Sequence, residues 1–213
     1  MPTQYWLARH VRPVTGWPGE DRARDASGGS LVSGGRTPSV LTIVSDTHGT
    51  DSTRLEGRTA TAVAEAEVVV HAGDLTTEAV LDGFHDAARR LHAVHGNRDD
   101  PGVVDRLPAR RVCEFGGVRF VVVHGHDHSE QALSLAAREA GADGVVVGHS
   151  HRPTVRRLGE VTLCNPGSHA DPRQFRPGHI ELERADEDEE LTGRLVEPDG
   201  TLVERFTVGG SED

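Results

Sequence analysis

The sequence predicts an α/β fold carried by parallel strands, and three observations lead there. Between residues 40 and 95, short Val/Leu/Ile-rich runs alternate with stretches of helical composition. Each run stops at a polar turn close to a glycine. Aromatic residues are only 4% of the chain, so the core has to be aliphatic, as it is where strands are covered on both faces and read as unbroken Val-rich runs.

Residues 40–44 form the first such run, a buried strand ending at Ser45-Asp46. Residues 53–66 have helix composition. A second strand over 67–71 ends at Gly73-Asp74, and a helix over 77–90 follows, with Thr76 or Thr77 as its N-cap. A third strand over 91–95 ends at Gly96-Asn97. Residues 111–115 and 118–123 flank Gly116-Gly117, a hairpin signal. A helix over 129–140 is closed by Gly141. Short strands are expected at 144–147, 154–158, 161–164 and 178–183. Two alternating runs around Pro198-Asp199-Gly200, within 191–208, read as an exposed hairpin. The acidic run 185–190 reads as a solvated loop. Residues 1–39, dense in Gly, Pro and Ser, form an irregular N-terminal extension. A single domain is expected over 40–208, with a short tail at 209–213.

Composition narrows the function. The formal net charge is −11, and every basic residue is Arg. No basic cluster offsets this acidity, which disfavours long nucleic acids and anionic membranes as partners. No stretch approaches the ~20 apolar residues of a membrane-spanning helix. The N-terminus lacks the apolar centre of a signal peptide, so a cytoplasmic location is expected. Cys113 and Cys164 are too few for a disulfide framework, and both are expected as buried free thiols.

The strand ends carry, in order, Asp46-x-His48, Gly73-Asp74, Gly96-Asn97-x-Asp99, His124-Gly125-His126 and Gly148-His149-x-His151. Ligands of open α/β sheets bind outside the carboxyl ends of the strands, so these pieces are placed to converge. Asp, Asn and neutral His are oxygen and imidazole donors. Such a set suits Mn, Fe, Zn, Co or Ni better than the all-oxygen cages of Ca or Mg. The absence of Cys argues against a structural zinc site. Residues two apart in extended chain face the same way, so Asp46 with His48, and His149 with His151, are expected to face one pocket as pairs. In a chain with 13 His, any one pair would mean little. His10, His85, His92, His169 and His179 are expected to lie outside the site, and His71 and His95 behind it.

The succession DTHG, AGD, GNRD, VHGH, GHSH and NPGS, over about residues 40–183, resembles the calcineurin-like metallophosphoesterase superfamily. It is most similar to the small cap-less phosphodiesterase group, to which the metallophosphoesterase-fold subunit of retromer is related. The resemblance implies a four-layer α-β-β-α sandwich with two mixed β-sheets, and two divalent transition-metal ions (Mn, Ni, Fe, Co or Zn). It implies Asp46, His48 and His151 on the first ion, Asn97, His124 and His149 on the second, and Asp74 bridging them. Asn165-Pro166-Gly167-Ser168 would shape the pocket wall. The implied reaction is hydrolysis of a small phosphate ester, a diester in preference to a monoester, by a hydroxide shared between the ions.

Many relatives carry His after the Asn of the GN motif, where this chain has Arg98. Arg98 is therefore a candidate clamp for phosphate oxygens. His126, oriented by Asp99 or Asp127, is a candidate proton donor. With Asp74 and Asn97 these complete the expected catalytic set. The competing expectation is a protein-binding scaffold of the retromer kind. That scaffold looks degraded at the ligand matching His48, and the His48 present here favours catalysis. Specificity is expected from loops 50–55, 100–110 and 169–177. The group often forms dimers or tetramers, so a homo-oligomer is expected too.

Overall fold

The structure, a computed structural model, describes residues 39–184 and 190–209. The expectations for the N-terminal extension before Ser39, for residues 185–189 of the acidic run and for residues 210–213 lie outside the described residues. Strand β1 (Val40–Val44), helix α1 (Gly57–Glu65), β2 (Val68–His71), α2 (Glu78–Ala87) and β3 (Leu91–Ala93) follow one another as expected. The three strands are parallel neighbours. Then come α3 (Pro101–Arg106), β4 (Arg110–Phe115), β5 (Val118–Val123), α4 (Glu130–Ala140), β6 (Gly144–Val146), β7 (Thr154–Leu158), β8 (Val161–Asn165), β9 (His179–Arg184), β10 (Glu190–Val196) and β11 (Leu202–Gly209).

The strands form two mixed sheets, in the orders β11-β10-β9-β1-β2-β3 and β4-β5-β6-β8-β7. The period-2 alternation of each strand sorts its side chains between two cores. Leu41, Ile43 and Val70 meet Phe120, Val122 and Val146 between the sheets. Val44 and Val69 point the other way, onto Val63, Leu81, Phe84 and Val103 of the first three helices. Val121, Val123 and Val145 pack beneath Leu133 and Ala137 of α4. The result is the four-layer α-β-β-α sandwich, with each fully buried Val, Leu or Phe contributing about 1.5–3 kcal/mol of transfer free energy.

Local chemistry sets the helix limits. The Thr77 hydroxyl accepts from the Val80 N–H, and the Ser129 hydroxyl from the Ala132 N–H. Gly141 ends α4 in a left-handed conformation, φ 57°. Helix α1 starts at Gly57 rather than near residue 53. Arg54 is itself left-handed (φ 51°), and its guanidinium donates to the carbonyls of Thr47 and Ala170, which holds this stretch off a helical path. The expected loop 100–110 contains α3, whose start follows from Asp100 before a proline at the first turn. The expected exposed hairpin is also corrected. β10 lies inside the sheet between β9 and β11, with Leu191, Leu195 and Val196 buried, and of the two hairpin strands β11 alone is an edge.

Candidate metal centre

The motif residues follow the carboxyl ends of the parallel strands, β1, β2 and β3 in one sheet and β5, β6 and β8 in the other. The loops there are stitched by main chain: Asp46 N–H donates to Gly73 C=O (3.0 Å), His48 N–H to Asp74 C=O (3.1 Å) and Gly148 N–H to His124 C=O (3.0 Å). Asp46, His48, Asp74, His149 and His151 all have positive φ, between 45° and 64°. Non-glycine residues take that conformation rarely and at a cost, and it gathers at functional sites. The pairs are therefore not extended; Asp46 and His48 still face one pocket, but His149 and His151 do not pair. His151 turns toward Asp46 and His48, whereas His149 turns toward Asn97, so the two histidines of one motif serve different halves of the site.

The first half comprises Asp46, His48 and His151, whose donor atoms lie within 4.8 Å of one another. His151 Nε2 is 3.4 Å from Asp46 Oδ1 and 3.2 Å from His48 Nε2. In the second half, Asn97 Oδ1 is 3.2 Å from His124 Nε2 and 3.1 Å from His149 Nδ1. Asp74 stands between the halves: its Oδ2 is 3.5 Å from His48 Nε2 and 3.3 Å from His124 Nε2. Its Oδ1 is occupied by the Arg98 N–H at 2.8 Å.

Groups behind the cluster aim it. The Nδ1–H of His124 donates to the Ala72 carbonyl (2.8 Å) and that of His151 to the Asp171 carbonyl, so both present Nε2 to the site. His71 is buried behind the site. Its Nδ1 accepts from the Gly73 N–H, and its Nε2–H donates to Thr47 Oγ1 (2.8 Å), tying the DTHG loop to the end of β2. The NPGS turn acts as a bolt, and its Asn165 also lines the groove beside Gly148 and His149. Asn165 Nδ2 donates to Gly148 C=O (2.9 Å), and the Ser168 hydroxyl donates to Asp46 C=O (2.7 Å) while accepting from the Asp171 N–H (2.7 Å). Asp99 does not orient His126. Its carboxylate accepts from the main-chain N–H groups of Thr76 (2.6 Å), Gly96 (2.7 Å) and Asp74 (3.2 Å), buckling two ligand loops together.

The donor set fits divalent cations. Asp46 and Asp74 are 0% and 2% exposed, with no Arg side chain paired to either among the described residues. Buried carboxylates of this kind need a compensating cation. Acceptor atoms also face acceptor atoms: imidazole lone pairs against carboxylate and amide oxygens. Burial pushes the Asp46 carboxyl up to about 6, against the pull of the Ser45 hydrogen bond and of His124 and His151. Burial would lower His124 too, but the hydrogen bond and charge of Asp74 win and hold it above its ordinary value. Burial would raise Asp74, and His124 with the Arg98 N–H outweighs it, so this carboxyl sits low. Burial lowers His48 and His149, keeping their lone pairs free.

Around the mouth, Arg98 is exposed, and its main chain rather than its guanidinium touches the cluster. The His126 ring lies 5.6 Å from that of His124 and 6.1 Å from that of His149. Its Nδ1 is 4.0 Å from Asp127, whose carboxylate is nearer to His128 at 2.6 Å. Sequence reasoning missed Ser45, Asp171 and Arg173. Ser45 Oγ donates to Asp46 Oδ2 at 2.6 Å. Arg173 Nε lies 3.9 Å from the Asp171 carboxylate, in the segment whose carbonyl orients His151. Only their closeness in sequence to Asp46 and to the NPGS turn could have pointed to them.

A family model described as the calcineurin-like phosphoesterase superfamily domain matches residues 40–187. The chain belongs to this superfamily. It is 31% identical over 147 residues to a probable metallophosphoesterase of Methanothermobacter thermautotrophicus, spanning 67% of this chain and 84% of that protein. It is 25% identical over 115 residues to a phosphodiesterase of Methanocaldococcus jannaschii, covering 47% of this chain and 66% of the relative. Among solved structures, Vps29 of Chaetomium thermophilum superposes with a TM-score of 0.66 at 18% identity, over 79% of this chain and 97% of that one, which is a likeness of fold. As a calcineurin-like phosphoesterase, the protein carries its candidate divalent-metal cluster at the strand ends, and none of its described helices is long and apolar enough to cross a membrane.

Proposed function

We propose that this metal-dependent phosphoesterase is a dinuclear phosphodiesterase acting on a small ester. The observation that carries the reading is the Asp74 Oδ2 atom, flanked by imidazoles of both halves of the cluster. Asp46, His48, His151 and Asp74 would hold one ion, and Asn97, His124, His149 and Asp74 the other. When bound, such ions supply hydroxide near neutral pH and neutralise charge on phosphoryl oxygens.

The chain's own residues do the rest. Asp74, clamped through Oδ1 by the Arg98 N–H, keeps the two halves at fixed spacing. His126, at the mouth and one-third exposed, would hand a proton to the departing oxygen. The guanidinium groups of Arg98 and Arg173 give a chain of net charge −11 a cationic approach for phosphate. The phosphodiesterase relative supports the diester preference.

The test is a screen of Mn, Ni, Co, Zn and Mg against bis(4-nitrophenyl) phosphate and 4-nitrophenyl phosphate. Turnover with transition metals, faster on the diester, is expected. Inactivity with every pair despite bound metal would favour a protein-binding scaffold.

A further inference from the structure

Beside the second half of the cluster an open groove of about 470 Å³ crosses the outer face of the second sheet. Its inner end is formed by Gly125 and Gly148-His149, so the groove and the candidate centre share the wall residue His149. Its floor is apolar, where Leu133, Val147 and Leu163 break the surface between α4 and β8. Arg152 and Arg156 also line the groove. Arg156 is already paired, 2.7 Å from Glu130, the one acid among the lining residues. Arg152 makes no side-chain ion pair or hydrogen bond among the described residues, although the chain has an excess of acids. Its main chain is pinned instead, by an N–H to Ser150 Oγ at 3.2 Å, in the loop that Asn165 also holds.

We propose that this groove is the subsite for the substituent of the ester that does not react, and that it selects a short apolar body bearing an anionic group, a carboxylate or a second phosphate. The inference rests on the phosphoesterase reading and deepens it. A phosphoryl group beside His149 has this trough open to its substituent, because the two share that wall residue. The trough offers dehydration for methylene groups over Leu133, Val147 and Leu163. The unpaired guanidinium of Arg152 lines the same trough, and a charge-assisted hydrogen bond to it adds both affinity and selectivity. An uncharged substituent of the same length would leave Arg152 without a partner and gain only the apolar contact.

The experiment uses the full chain loaded with Mn²⁺ and a matched pair of diesters, 4-nitrophenyl hexyl phosphate and 4-nitrophenyl 5-carboxypentyl phosphate. The readout is the ratio of their kcat/KM values. About tenfold in favour of the carboxylated diester is expected, the equivalent of one good charge-assisted contact. The ratio should fall to one or below in Arg152→Glu. Calorimetry of the non-hydrolysable pair hexylphosphonate and 6-phosphonohexanoate reads the same preference without turnover. A ratio near one in the unaltered protein, or one that Arg152→Glu leaves in place, overturns the subsite. If neither diester is turned over, the phosphodiesterase reading fails. The calorimetric preference and its loss in Arg152→Glu then decide the groove separately.

Discussion

The main-chain N–H of His149 donates to both carboxylate oxygens of Asp46, at 3.1 and 3.0 Å. This contact joins the end of β6 in one sheet to the end of β1 in the other, and it demands a glycine just before it. A Cβ on Gly148 would run into Ser45 Oγ and stand 2.7 Å from Asp46 Oδ2 and 3.0 Å from the Ala72 carbonyl. Gly148→Ala should therefore push the two loops apart, at a cost of about 1–3 kcal/mol. Urea unfolding would show the lost stability, and metal titration calorimetry the weakened binding. Wild-type values for both would contradict this packing.

Ser168 serves three partners from one hydroxyl, donating to Asp46 C=O and accepting from the N–H groups of Ala170 and Asp171. Ser168→Ala strands a buried carbonyl and loosens the segment whose Asp171 carbonyl orients His151. A loss of about 1–3 kcal/mol in stability is expected, together with a 10–100-fold loss in metal affinity. Unfolding and metal titration measure the two separately.

Away from the site, Glu181 is buried against a bidentate Arg58 (2.7 and 2.7 Å), His179 (3.0 Å) and Arg194 (2.9 Å). Burial alone would raise its carboxyl, but the His179 and Arg58 contacts win and hold it at about 2, against an ordinary 4.5. A depressed carboxyl stabilises the folded state in full above pH 4.5, and that contribution drains away as pH falls from there toward 2. The gap corresponds to about 3 kcal/mol. Glu181→Gln should therefore be destabilised by about this much at neutral pH, and by about half as much near pH 3. Urea midpoints of both proteins across that range would show the difference shrink. A constant difference would refute the linkage.

The two thiols should be silent. Burial pushes Cys164 up to about 12 and Cys113 up to about 11, and both lie in the core between the sheets. A thiol-disulfide reagent at pH 8 should label neither until the protein is unfolded. Fast labelling of the native protein would contradict this core.

The frame of the fold was legible because its strands are continuous aliphatic runs and its main caps, Thr77, Ser129 and Gly141, are local signals. Helix α3 escaped because six residues are too few for a helical period to show, although Asp100-Pro101 marks its start. The candidate site residues could be named from their motifs, but their assortment could not be reasoned from spacing. Alternation assumes extended chain, whereas Asp46, His48, His149 and His151 are all left-handed, and the turns at His149 and His151 send those two apart. The work of Asp99 was hidden for a related reason. Its partners are main-chain N–H groups, and main chain has no signature in a sequence.

The central claim is that two ions share Asp74. Metal content by plasma mass spectrometry, taken with turnover of bis(4-nitrophenyl) phosphate, tests it in the unaltered protein and in Asp74→Ala. Removing the atom that faces both His48 and His124 should lower the content from two ions per chain and abolish turnover together. Full metal content with undiminished turnover in Asp74→Ala would contradict the account.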